Sequence, residues 1–167
     1  MKRWTIGVTV VGLLAALALP AHATGVGAGA RYFKTIDELD GPFEEDGLAP
    51  LLTVKQDLAA LLSFQVDLVL YPDGYAGAAK DVLAPEAFLV LGQSLYAALG
   101  AGTLYADGDF GDPFFVARVG FDLELLPGLH LDINGNYEFA EWEGINEVDD
   151  EADSDTITLG AAVRLDL

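Results

Sequence analysis

The sequence has no cysteine, a single methionine and only eight lysines and arginines in 167 residues. Without cysteine there is no disulfide framework, no thiolate zinc site and no thiol nucleophile. The shortage of cations excludes a nucleic-acid binder, because phosphate contact needs clustered Lys and Arg. Long apolar runs are also scarce beyond residue 23, where none reaches the ~20 residues of a membrane helix. Val66 to Leu70 is interrupted by Asp67, and Leu95 to Leu104 by Gly100 and Gly102. What the chain has in excess is acid: 27 Asp and Glu give a formal net charge of −19. Yet 52% of residues are hydrophobic, and mean hydropathy is +0.35. Disorder requires low hydrophobicity, so this is a folded chain, of a length that suits one domain.

The N-terminus reads as an export signal. Lys2 and Arg3 precede the mostly apolar stretch Thr5 to Leu19, and Pro20 leads into Ala21-His22-Ala23, a small-x-small cleavage pattern. Cleavage after Ala23 is predicted, which divides the chain into a signal peptide, 1–23, and one domain, 24–167. With no helical span left, the exported product is either a periplasmic or secreted globule or an outer-membrane barrel.

A period of two decides between them. From Pro113 to Leu125 the odd positions carry Phe115, Ala117, Val119, Phe121 and Leu123, while the even ones include Arg118, Gly120, Asp122 and Glu124. From Leu129 to Trp142, Leu131, Ile133, Tyr137 and Phe139 alternate with His130, Asp132, Asn134, Asn136 and Glu138. Thr156 to Leu167 sets Ile157, Leu159, Val163 and Leu165 against Thr158, Gly160, Arg164 and Asp166. Successive strand side chains point to opposite faces, so each segment has one apolar and one polar face. Such runs exceed the roughly five or six residues of globular strands and suit a tilted membrane-crossing strand of about 9–11. Weaker alternation marks 24–36, 51–58, 63–71, 86–92 and 95–106, with Lys55, Asp57, Asp67 and Glu86 on the polar faces. The fourth and fifth strands part near Gln93-Ser94.

Eight strands result, joined by connections that run alternately long and short, the layout of an outer-membrane barrel with its long ends outside the cell. A soluble lipocalin-like ligand carrier would turn its apolar residues inward. Here the polar face is rich in Gly and in charges of both signs, which suits a narrow, filled lumen. Tyr32, Tyr105, Phe115, Tyr137 and Phe139 gather near the long-loop ends, as an interfacial girdle would. With its closing run TITLGAAVRLDL, the chain resembles the small eight-stranded outer-membrane β-barrel superfamily, which includes the outer-membrane protein A membrane domain and the X- and W-type barrels. The resemblance is one of architecture, with no subfamily motif. It implies an all-β, antiparallel up-and-down barrel whose last strand engages the assembly machinery. Members typically end in an aromatic residue, and Leu167 stands there instead.

An interior just wide enough for side chains obliges its charges to pair. The parities place Lys55, Asp57, Asp67, Arg118, Asp122, Glu124, His130, Asp132, Arg164 and Asp166 in a polar network of the lumen. His130 would lie at the opposite end from the site of outer-membrane barrel hydrolases, so it reads as a paired lumen histidine, and no catalytic set is assigned. Most of the acid falls in the long loops, with eight carboxylates between Glu141 and Asp155. Asp149, Asp150, Glu151, Asp153 and Asp155 form the candidate cation site, for Ca2+ or Mg2+, although DDEADSD lacks EF-hand spacing. No other cofactor is implied. The reading is a non-enzymatic, monomeric outer-membrane barrel with a structural or surface-interaction role, among outer-membrane lipids and lipopolysaccharide. The alternatives are a small channel for ions or hydrophilic solutes and a soluble periplasmic carrier. The parities also predict that Val119 and Ile133 face lipid, and that alanine at the lumen positions Gly120 and Asn134 costs much less than arginine at those lipid-facing ones.

Overall fold

The period-two segments pair in sequence order and close on themselves. In the computed structural model, which describes residues 24–35, 46–73, 75, 81–106, 108–139 and 156–167, the strands are β1 (Thr24–Thr35), β2 (Asp46–Ala59), β3 (Leu62–Tyr71), β4 (Val82–Gly92), β5 (Leu95–Ala106), β6 (Asp109–Leu126), β7 (Leu129–Phe139) and β8 (Thr156–Asp166). Each pairs antiparallel with the next, and β8 returns to β1 through Ala28↔Val163 and Tyr32↔Leu159, forming a closed barrel. Closure removes the unpaired edges that an open sheet would expose.

The two faces separate as the alternation requires. Leu52, Leu89, Leu99, Val119 and Leu159 stand outward and are more than half exposed, whereas Arg31, Asp67, Arg118 and Thr158 point inward and are buried. This is the reverse of a soluble carrier, whose apolar side chains line the interior. The lipocalin-like alternative is thereby corrected.

Short turns close one end of the barrel. Pro127-Gly128 joins β6 to β7 with Gly128 at φ 75°, the left-handed position that a type II turn reserves for glycine after proline. The fourth and fifth strands part at Gln93-Ser94, where the alternation predicts. At the other end three strands reach further than the sequence suggests. β2 starts at Asp46 rather than Leu51, β4 at Val82 rather than Glu86, and β6 at Asp109 rather than Pro113. Proline and aspartate at these starts read as loop, because proline lacks a ladder donor. The register nevertheless runs through Pro85, from Asp67↔Glu86 to Val69↔Ala84, so the ladder spans the missing bond.

Candidate functional site: the charged interior

The inward faces of five strands meet around two guanidinium groups. Arg31 on β1 donates through Nη1 and Nη2 to both carboxylate oxygens of Glu86 on β4, at 2.6 and 2.8 Å. It also lies 3.5 Å from Asp67 on β3 and 3.4 Å from Glu138 on β7. Arg118 on β6 approaches Asp67 Oδ2 at 2.7 Å and Glu86 at 3.8 Å. Its guanidinium lies 3.7 Å from the centroid of the Phe88 ring, a cation–π arrangement. The other oxygen of Asp67 accepts from Thr53 at 2.6 Å and Gln65 at 2.9 Å. The bidentate, charge-assisted pair of Arg31 and Glu86 belongs to the strong class of hydrogen bond. The group is lopsided, with two cations facing three carboxylates.

Glu138 is held more loosely than its neighbours. Its Oε1 accepts from Tyr71 at 3.3 Å, and its Oε2 from Tyr75 at 3.2 Å. Tyr75, from the β3–β4 connection, stacks on Tyr71 at 3.8 Å and meets Phe33 edge-on at 4.9 Å. Burial above all, and the Glu138 carboxylate beside it, push the Tyr75 hydroxyl well above the usual phenol range. It therefore serves as a donor. These rings belong to an apolar layer with Leu51, Val69 and Val82 at the long-connection end.

A second ionic group sits toward the short turns. Lys55 on β2 donates to Asp122 on β6 at 2.8 Å. Arg164 on β8 joins Asp122 as well, and reaches Asp132 on β7 at 3.3 Å. Tyr96 donates to Asp132 at 2.9 Å, and Asn134 at 2.6 Å. His130 lies between Asp122 and Asp166, its Nδ1 2.9 Å from one and its Nε2 3.2 Å from the other. The two ionic groups are linked along the inward row of β7. Arg118 bonds Asn136, which donates to Asn134 at 3.0 Å and to Thr158 at 2.9 Å.

The sequence-derived set is thus divided. Lys55, Asp67, Arg118, Asp122, His130, Asp132 and Arg164 are drawn into these two groups, and Asp166 joins at the rim. Asp57 and Glu124 lie exposed at the short-turn end, outside both groups. There Asp57 accepts from Ser63 at 2.7 Å, and Glu124 from the Gly128 amide at 3.2 Å. Polar-face parity persists to the strand ends, but the enclosing wall does not. Arg31, Glu86 and Glu138 occupy the central group without having been assigned to it. Parity could have found them, since all three lie on polar faces.

Two further expectations change. A Cβ on Gly120 would meet the Tyr96 hydroxyl at 2.6 Å and the Ile133 carbonyl at 2.9 Å, so alanine there is crowded. Asn134 bonds both Asp132 and Asn136, so its loss is not neutral either. Tyr32, Tyr105 and Tyr137 stand outward at the long-connection end, whereas Phe139 is buried against Phe115 and Tyr137. The candidate cation residues Asp149, Asp150, Glu151, Asp153 and Asp155 lie outside the described residues, as do residues 1–23. Among the described residues, no group of three or more His, Asp and Glu is arranged to hold a metal ion.

No protein-family model and no curated protein matches the chain. Solved structures do. The crystal structure of Neisserial surface protein A (NspA) aligns with TM-score 0.56 and 18% identity, covering 85% of this chain and 96% of that one. Ail, the attachment invasion locus protein of Yersinia pestis, aligns with TM-score 0.55 and 11% identity, covering 89% of this chain and all of its own. The fold is that of the small eight-stranded outer-membrane barrels. In an outer-membrane barrel of this size, an outward apolar wall and a side-chain-filled lumen are what eight strands allow.

Proposed function

We propose that this protein is a monomeric, non-enzymatic outer-membrane barrel that acts at the cell surface, its acidic long-connection end meeting divalent cations or cationic partners. The observation that carries this reading is the filled interior. Buried ion pairs and stacked rings occupy the lumen, so exchange with the surroundings is left to the lipid-facing wall and the two ends. On this reading residues 1–23 are removed after Ala23. The apolar wall sits among outer-membrane lipids, with lipopolysaccharide in the outer leaflet. The last strand, ending in Leu167, is what the assembly machinery engages. Calcium or magnesium would relieve repulsion between acidic loops and anionic lipopolysaccharide.

The sign of the charge supports a cationic partner. Asp46, Asp73, Asp81, Asp109 and Asp112 are exposed toward the long connections, and Lys34 is the one exposed cation there among the described residues. A polyanion would be repelled by such a surface. Two measurements test the proposal. The protein should fractionate with outer membranes, require micelles and show heat-modifiable gel mobility, and a monodisperse detergent-free monomer would refute it. Purified protein in planar bilayers should give no steady conductance. A reproducible open level would favour the small-channel reading instead.

A further inference from the structure

At the long-connection end the interior wall changes character. Leu104 and Ala106 of β5 pack against the apolar layer that contains Tyr75 and Val82. These four, with Phe110 and Asp109 from the start of β6, line a cleft of about 290 Å3. Small-molecule pockets run from roughly 300 to 1,000 Å3, so this one has room for a single large side chain rather than a whole organic ligand. Asp109 supplies a carboxylate within the lining, and Asp81 and Asp112 are exposed next in sequence to the lining residues Val82 and Gly111. An apolar slot bordered by acid calls for an apolar group flanked by positive charge.

We infer that this cleft docks a basic peptide: one apolar side chain enters beside Leu104, Ala106 and Gly111, against the buried layer of Tyr75 and Val82, and flanking Lys or Arg residues meet Asp109 and the neighbouring aspartates. The inference deepens the surface-interaction reading and rests on it. The slot supplies selectivity for the apolar side chain, and the acidic surroundings supply the encounter. A variant that fills the slot without straining the backbone is at hand. Among the described residues, a Cβ on Gly111 would meet only the Leu104 carbonyl at 3.5 Å and its Cβ at 3.9 Å, which is ordinary van der Waals contact.

The test uses the barrel in nanodiscs of neutral lipid, which avoids detergent in the slot and charge in the membrane. Calorimetry compares two capped pentapeptides, KKFKK and KKSKK. The phenylalanine peptide should bind at least ten-fold more tightly. Gly111→Leu should reduce it to the affinity of the serine peptide and leave the latter unchanged, while Asp109→Asn should weaken both. Ala106→Leu fills the same slot from β5 and serves if Gly111→Leu loses its heat-modifiable gel mobility. Equal affinity for the two peptides, or an unchanged preference in both filled variants, would overturn the slot and leave the acidic-surface reading standing. Absence of binding by either peptide would overturn both.

Discussion

Replacing Arg31 by Met removes the guanidinium from the centre of the barrel and keeps most of its aliphatic stem. The group around it holds Arg31 and Arg118 against Asp67, Glu86 and Glu138. After the substitution one cation faces three carboxylates, and Glu86 loses two bonds of 2.6 and 2.8 Å. Breaking a buried ion pair from one side costs about 3–5 kcal/mol, because the partner charge stays buried and uncompensated. Glu138→Gln is the contrasting change. It brings the group to two cations and two carboxylates, and the bonds it disturbs are the long ones, 3.2 Å to Tyr75, 3.3 Å to Tyr71 and 3.4 Å to Arg31. Its cost should be about 1 kcal/mol or less, the scale of one ordinary hydrogen bond. Reversible urea unfolding in phosphocholine vesicles reads both. With a slope of about 2 kcal/mol per molar, Arg31→Met should lower the midpoint by about 2 M, and Glu138→Gln by less than about 0.5 M. Adding Glu86→Gln to Arg31→Met should restore part of the loss, since it removes the orphaned carboxylate. If Arg31→Met costs no more than Glu138→Gln, the interior charges are solvated and the reasoning fails.

Other outcomes follow from the two faces. Val119→Arg or Ile133→Arg places charge on the lipid-facing wall and should cost about 2–4 kcal/mol near mid-bilayer; equal tolerance of Arg at these positions and at exposed turn positions would contradict that orientation. Gly120→Ala should destabilise by about 1–3 kcal/mol through overpacking against Tyr96 and the Ile133 carbonyl, and should cost less once Tyr96 is also Ala, with the backbone contact remaining; an unchanged penalty would remove Tyr96 from the strain. Millimolar calcium or magnesium is expected to raise the unfolding temperature more than sodium chloride of matched ionic strength. Neutralising Asp149, Asp150, Glu151 and Asp153 to Asn or Gln should abolish that difference, and identical effects of calcium and sodium would leave only screening.

The inward and outward rows could be read from the chain because a strand's side-chain period is two, and a single error of register would exchange the faces. Val119 and Arg118 are adjacent in sequence, yet one is 63% exposed and the other 2%. The turns were legible for a local reason as well, since Pro127-Gly128 and Gln93-Ser94 interrupt the alternation where the chain reverses. Asp46–Pro50, Val82–Pro85 and Asp109–Asp112 misled, because proline and aspartate are locally poor in strands. In the barrel, ladders on both sides outweigh that preference.

Alternation, charge sign and turn residues are properties of neighbours along the chain, and they determined the strand number, the outward apolar wall and the polar lumen from the sequence alone. Which charges meet was decided only by closure. Arg31 and Glu86 stand 55 positions apart on strands that are not hydrogen-bonded to each other, and no local pattern selects Glu86 over Glu124 as a partner. Curling the sheet turned five inward faces toward one axis, where low dielectric and limited space forced the nearest opposite charges together. Tyr75 belongs to no period at all. It reaches Tyr71 and Glu138 because the finished barrel leaves an apolar layer and a loosely held carboxylate at that end, and both exist only in three dimensions.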